Sequence, residues 1–414
     1  MHRIPAVVIG AGQAGLAVST LLTGAAVDHV VLERGRPAQR WRSRSWESLR
    51  LLTPNWLSRL PDWTYAGPDP AGFMTAAEVA HHLAAYAAHS HAPVVGEATV
   101  LSVRRVDAGY RVATTAGDWA ARAVVVATGW CDLPYVPPAA AAVPAGIEQL
   151  TPATYRNPAA LPDGGVLVVG ASASGVQLAD ELAASGRWVV LAVGSHTRVP
   201  RRLRGLDIMW WLDAMGLLDR PVADPADRTA LLREPSLQLA GRADARAVDL
   251  PALQARGVTL AGRLLGVDGP RLRFAADLPA TTAVADARLR RLLARIDTYA
   301  QETGLAAELD PSAPVRTVRS AAVTELPLAG IRTVVWATGY RRAYPWLHVP
   351  VLDATGEIRH AGGVTSVPGL YVLGMRWQSR RNSAFLDGVR HDAATVAARV
   401  RADVGATNRY GAVA

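Results

Sequence analysis

Apolar residues gather along the chain in short β-branched runs, and four of these runs end on turns that carry glycine. Residues 6–9 lead into Gly10, and the alanine- and leucine-rich stretch 14–22 follows, which predicts strand, tight turn and helix. Residues 29–32 predict a second strand. The alternation recurs when GVLVV at 165–169 precedes a turn, a helix over 176–184 and a strand over 188–193. Two further runs, AVVV at 123–126 and TVVW at 333–336, each enter the tripeptide Ala-Thr-Gly followed by an aromatic residue. Residues 258–274 predict a hairpin turning at Asp268-Gly269-Pro270, and 284–303 an amphipathic helix with Leu289, Leu292, Leu293 and Ile296 on one face. Strands alternating with helices predict an α/β fold, and 414 residues exceed what one core organises, so two domains are expected.

The first glycine turn, GAGQAG, places Gly10, Gly12 and Gly15 in GxGxxG spacing around Gln13 and Ala14. The first glycine permits the turn, the second lets a pyrophosphate approach the backbone, and the third lets helix and strand pack closely. The helix N-terminus adds free N–H groups for an anion. Glu33 closes the second strand, 23 residues after Gly10, where a carboxylate accepts from ribose hydroxyls. GASASG repeats the pattern with Gly170, Ala171, Ser172, Ser174 and Gly175, a serine standing in the middle glycine's place. No carboxylate ends the strand after it. Ser195, His196, Thr197 and Arg198 follow instead, then Arg201, Arg202 and Arg204. A missing acid beside arginines suits a 2′-phosphate and favours NADPH over NADH; the competing reading is a solvated basic face. One Ala-Thr-Gly turn after each loop points to two dinucleotide-binding, Rossmann-like domains.

Composition narrows the chemistry. All 44 basic residues are arginine, scattered over a chain of net charge +9, which reads as a basic surface with local anion sites and no nucleic-acid partner. The lack of lysine excludes an internal Schiff base, including attachment of pyridoxal phosphate. Cys131 is the sole cysteine, which excludes an intrachain disulfide, a four-thiolate zinc site and a CxxC redox pair. His81, His82, His89 and His91 do not share a helix face, so no metal site is expected. No run approaches the ~18 to 20 apolar residues of a membrane span, and the N-terminus lacks signal-peptide features. A cytoplasmic protein without membrane partners is expected. Trp210 and Trp211 are assigned to core packing ahead of a substrate cavity.

In order, GAGQAG with Glu33 and Arg34, WRSRSWESLRLLTPNW at 41–56, ATGWCDLPYVP at 127–137, TYRNP at 154–158, GASASG and ATGY span nearly the whole chain. This succession resembles the single-component flavin-containing monooxygenases, including the plant YUCCA enzymes, within the superfamily of two-dinucleotide-domain flavoproteins. The resemblance implies a discontinuous FAD domain, 1–155 and 330–414, with an NAD(P)H domain, 156–329, inserted. It implies FAD contacts from Gly10, Gly12, Gln13, Ala14, Gly15, Glu33, Arg34, Arg40, Trp41, Thr53, Asn55, Val100, Thr128, Gly129, Gly374 and Gln378. NADPH contacts would come from Gly170, Ala171, Ser172, Ser174, Gly175, Ser195, His196, Arg198, Thr338 and Gly339. NADPH would reduce the flavin, oxygen would add at flavin C4a, and the peroxide would oxidise a small organic substrate. A homo-oligomer stays open. The family's identifying pattern is altered: Ala145, Ile147 and Thr151 replace its first three members and Tyr155 remains, while Leu52 stands where many members place an asparagine, with Asn55 nearby. Tyr155, Asn55 and Trp130 are the catalytic candidates. The substitutions keep two alternatives in view, an NADPH-linked flavin oxidase or dehydrogenase without oxygen transfer and a nucleotide-sensing flavoprotein that is not an enzyme.

Overall fold

A computed structural model describes residues 1–224, 228–311, 314–318 and 323–406; the expected domain limit at 414 lies outside them. Each glycine turn sits at the end of a parallel strand inside its own sheet. The first strand, His2–Ile9, pairs in parallel with His29–Leu32 on one side and Gly117–Val126 on the other. Residues 6–9 of this strand are buried because both sheet faces are covered, one by the helices Gln13–Gly24, Ala76–His89 and Val389–Ala406 and the other by strand and loop residues such as Tyr344, Leu347, Val349 and Val367, which is why the run is uniformly apolar rather than alternating. The sheet continues antiparallel through Gly109–Thr114 and Val100–Val106. The ten-residue strand Gly117–Val126 serves two neighbours along one edge: its first half pairs with Gly109–Thr114 and its last three residues with Leu370–Val372. The C-terminal chain thereby returns to the N-terminal sheet, and the final helix, Val389–Ala406, packs on Gln13–Gly24.

The second sheet is all parallel, in the order Thr259–Ala261, Val189–Ala192, Gly165–Val169, Ile331–Trp336, Glu148–Leu150. Two of its strands lie across the expected boundaries, since Glu148–Leu150 precedes 156 and Ile331–Trp336 follows 329. An apolar run announces a strand but not which of two sheets it joins. The expected hairpin is likewise shorter: residues 259–261 take the sheet edge, and Leu264–Asp268 with Arg271–Phe274 turn at Gly269 and add Glu325–Pro327 as a third strand. The expected amphipathic helix runs from Leu278 to Glu302 and buries Leu289 and Ile296. Trp211 is fully buried and Trp210 stacks edge-on against it at 5.1 Å, which places the pair in packing. Among the described residues, no helix is long and apolar enough to cross a membrane.

Trp336 carries this junction. Its ring is buried in the second sheet and its Nε1 donates to Gln149 Oε1 at 2.9 Å, tying two strands whose paired residues lie 187 positions apart in the chain. Trp336→Ala removes a large buried ring and orphans an amide, so we expect a loss of about 3 to 5 kcal/mol, read as a lowered urea midpoint with the second-sheet signal melting first.

Candidate active site

The two glycine turns are built alike. Gly10 and Gly170 both have φ +105°, in the left-handed half of conformational space, and a Cβ there would meet the carbonyl oxygen of Ala127 at 2.7 Å or of Ala337 at 2.5 Å. These alanines open the two Ala-Thr-Gly turns. Each glycine loop therefore rests on the Ala-Thr-Gly turn of the neighbouring parallel strand, with Ile9 beside Val126 and Val169 beside Trp336. One turn of helix later the third glycine closes the same cradle, because a Cβ on Gly15 or Gly175 would lie 1.8 Å from the carbonyl of Gly10 or Gly170. Gly12 has open space where a Cβ would stand, and its loop runs into the N-terminus of Gln13–Gly24.

Glu33 is buried at the tip of its strand. Its Oε2 accepts from Ala11 N at 2.8 Å and its Oε1 from Gly35 N at 3.1 Å, which aims the carboxylate across the first loop. A carboxylate has roughly four acceptor positions, so two stay free for ribose hydroxyls. A cleft of about 1350 Å³ opens here and reaches the second loop at Ala173, Ser174 and Gln177. It exceeds the ~300 to 1000 Å³ of a site for one drug-sized ligand, so it has room for a dinucleotide and a second molecule. The loop backbone, the helix N-terminus and Glu33 match the donors and acceptors of a dinucleotide.

Most expected FAD contacts line this cleft: Gly10, Gly12, Gln13, Ala14, Glu33, Arg34, Arg40, Trp41, Thr53, Val100, Thr128, Gly129 and Gly374. Gly15 acts behind it through the packing just described. Two do not reach it. Asn55 is buried and spends both ends of its amide on the chain, Nδ2 donating to Asp69 O at 2.9 Å and Oδ1 accepting from Met74 N at 2.7 Å. Gln378 is buried behind the wall, its Oε1 accepting from Met375 N at 3.3 Å and its Nε2 close to Gly363. Among the catalytic candidates, only Trp130 faces the cleft, where it meets Tyr340 edge-on at 6.4 Å and lies under the Arg376 guanidinium at 5.3 Å. Tyr155 is fully buried with its OH donating to Glu181 Oε2 at 3.2 Å. Burial, reinforced by the Glu181 charge, pushes its phenol far above the usual range. Tyr155 and Asn55 are thus engaged in packing, and neither lines the cleft.

On the second loop, Ser174 reaches the cleft, Ala171 O accepts from Gln238 Nε2 at 2.7 Å, and Ser172 stands at the N-terminal boundary of the helix Ala173–Ala184 with no capping bond from its side chain. Thr338 Oγ1 donates to Tyr135 O, and Gly339 O accepts from Tyr135 N at 2.9 Å, so the second Ala-Thr-Gly turn is braced by the 133–135 segment. Ser195 is exposed, whereas His196 is buried with Nδ1 against Gly194 O at 3.0 Å, and burial lowers its pKa. The expected phosphate grip of Arg198 is corrected. Its guanidinium is buried and pairs with Asp286 at 2.6 Å and Asp249 at 2.7 Å, while Nη1 also donates to Arg316 O at 2.8 Å. Arg201 pairs with Asp207, and Arg204 with Asp297 at 3.0 Å. The carboxylates that claim these arginines lie up to 93 residues away, which spacing does not reveal.

The sequence also missed the apolar part of the cleft lining. Met209, Leu218, Leu237, Leu239, Phe385 and Arg381 line it, gathered from the insertion and the C-terminal chain. Cys131 stands beside Trp130; burial pushes its thiol up to about 12, which leaves it protonated and unreactive at neutral pH.

Residues 7–204 match the family model described as pyridine nucleotide-disulphide oxidoreductase. A CzcO-like oxidoreductase of Geobacillus kaustophilus (strain HTA426) is 32% identical over 395 residues, covering 95% of this chain and 97% of its own. The chain belongs to the CzcO-like oxidoreductases. The CzcO oxidoreductase of Bacillus subtilis (strain 168) is 25% identical, covering 94% of this chain and 96% of its own. The rice (Oryza sativa subsp. japonica) indole-3-pyruvate monooxygenase YUCCA4 is 31% identical over about half of each chain. Among solved structures, a flavin-containing monooxygenase from Stenotrophomonas maltophilia superposes with a TM-score of 0.67 at 22% identity, covering 97% of this chain and 99% of that one, which bears on the fold alone.

Removing the Arg198 guanidinium leaves Asp249 and Asp286 as uncompensated buried charges. Arg198→Ala should therefore cost about 3 to 5 kcal/mol of stability, seen as a lower unfolding temperature, while KM for NADPH and NADH changes in parallel; a selective loss of NADPH would restore the phosphate role.

Proposed function

We propose that the chain is an NADPH-dependent, FAD-containing monooxygenase acting on a small organic substrate, with FAD at the first glycine turn and NADPH at the second. The observation that carries this reading is that one cleft is continuous from the first turn to Ser174 of the second. Two cofactors bound at the two turns would meet in it. FAD supplies hydride acceptance and oxygen chemistry when bound. The residues proposed to bind it are those that line the cleft around Gly10, Glu33, Arg40, Trp41 and Thr128, with the N–H groups at the start of Gln13–Gly24 on the pyrophosphate. The nicotinamide cofactor would use Gly170 to Gly175 with Ser195, and the 2′-phosphate would lie outside the reach of Arg198. The domain division follows the cofactors: a unit made from the two chain ends for FAD and the insertion for NADPH.

Met209, Leu218, Leu239 and Phe385 supply an apolar stretch of the cleft lining that would shield a reactive group from water. Trp130, held between Tyr340 and Arg376, forms a rigid face to the cleft. Relatives named as indole-3-pyruvate monooxygenases support oxygen transfer, and the sole Cys131 leaves no intrachain dithiol for a disulfide reductase.

Anaerobic NADPH should bleach the oxidised flavin within seconds, and on admitting oxygen the oxidised spectrum should return only after a delay, with substrate taking one oxygen atom from labelled dioxygen. Immediate return with stoichiometric hydrogen peroxide would establish the oxidase alternative, and no bleaching would leave the nucleotide-sensing one. Glu33→Ala should weaken FAD about tenfold through two lost acceptor bonds of roughly 0.5 to 1.5 kcal/mol each, measured by flavin fluorescence on dilution.

A further inference from the structure

Residues 379–382 of the C-terminal chain run antiparallel to 218–222 of the insertion. Val222 N donates to Ser379 O at 2.8 Å, Arg381 N to Arg220 O at 2.9 Å and Asn382 N to Leu218 O at 3.1 Å, and Asn382 Nδ2 donates to Asp219 Oδ1 at 2.9 Å. These bonds hold the backbone of Arg381 on the wall of the cleft, beside Leu218, Trp377 and Phe385.

The arginines around it are already engaged. Arg380 faces Asp219 at 3.8 Å, Arg376 donates to Glu234 O at 2.6 Å and covers Trp130, Arg220 lies over the Trp377 ring at 5.1 Å, and Arg59 pairs with Asp387 and Asp213. Arg381 differs from all of them. Among the described residues no carboxylate lies within ion-pair distance of its guanidinium and no carbonyl accepts from it. Burial lowers its pKa, and the exposed Glu234 opposes that only through space, yet a guanidinium stays charged at neutral pH. A half-desolvated cation without a partner is costly, and the cost is relieved when an anion enters with the ligand. Apolar Leu218, Trp377 and Phe385 line the cleft with it, and Glu234 and Arg220 are the charges that act on it.

We propose that the substrate of the monooxygenase carries a carboxylate on an apolar body, that Arg381 grips the carboxylate with its two-pronged fork, and that the Leu218, Leu239 and Phe385 wall takes the body. This inference rests on the monooxygenase reading for its substrate and on Arg381 alone for the anion. The carbonyl edge of a bound flavin could present similar oxygens to a guanidinium, so the test separates the two.

The FAD-loaded enzyme is titrated with benzoate and with benzamide, which differ in charge but hardly in shape, and binding is read from the flavin difference spectrum and from the shift in unfolding temperature. Benzoate should bind at least tenfold more tightly than benzamide. Arg381→Met should bring the two within about twofold, and Arg381→Lys should restore part of the difference. Equal affinities in the unaltered enzyme, or a preference that survives Arg381→Met, would overturn the assignment. Loss of bound FAD from Arg381→Met with the benzoate preference intact would give the guanidinium to the flavin. The unfolding-temperature measurement needs no turnover, so the acid–amide comparison stays readable even where NADPH fails to reduce the flavin.

Discussion

Everything in this molecule is arranged around a backbone approach that only glycine allows. At Gly10 and again at Gly170 the chain comes so close to the carbonyl of a neighbouring strand's terminal alanine that no side chain fits, and at Gly15 and Gly175 the helix backs onto the loop at a distance a Cβ would cut to 1.8 Å. The approach has two effects at once. It brings the helix N-terminus down to the strand ends, where its N–H groups collect, and it locks the loop to the Ala-Thr-Gly turn of the adjacent parallel strand. The site and the core are therefore the same construction. The buried runs at 6–9, 123–126, 165–169 and 333–336 hold the strands in the register that makes the contact, with Ile9 beside Val126 and Val169 beside Trp336.

Between these two cradles the chain is joined by an apolar cluster in which Leu57 packs with Leu203, Ile208, Trp211 and Ile296, and by polar contacts. Arg59 near the N-terminus reaches Asp213 of the insertion and Asp387 of the C-terminal chain, and residues 379–382 pair with 218–222. Such contacts are directional, so they fix where the walls of the cleft stand relative to the first loop. The apolar wall of the cleft is composed where residues 209–239 and the C-terminal chain meet, and no continuous piece of sequence contains it.

Charge shows the difference between a residue's type and its situation. The run from Arg198 to Arg204 looks like a phosphate site when read along the chain, and in the folded protein three of its guanidinium groups belong to Asp249, Asp286, Asp207 and Asp297. Arg381, beside Leu218 and Phe385 on the cleft wall, has no carboxylate within ion-pair distance among the described residues. Tyr155 and Asn55 follow the same rule, since each found its partner inside the core, Glu181 for one and the Asp69 and Met74 backbone for the other.

The sequence by itself determined the local pieces: strand, glycine turn and helix in two copies, the acid at Glu33, the two Ala-Thr-Gly turns, and the absence of the thiols and lysines that other chemistries require. These were legible because glycine spacing and apolar periodicity act over a few residues, through sterics and burial that depend little on the rest of the chain. Tertiary structure alone decided which sheet each strand joined, placing Glu148–Leu150 and Ile331–Trp336 in the second sheet, and which polar side chains were consumed. A hydrogen bond or ion pair is chosen by whatever the fold brings within about 3 Å, and sequence separation places no limit on that choice. The partners of Arg198 and the isolation of Arg381 are both outcomes of that long-range selection.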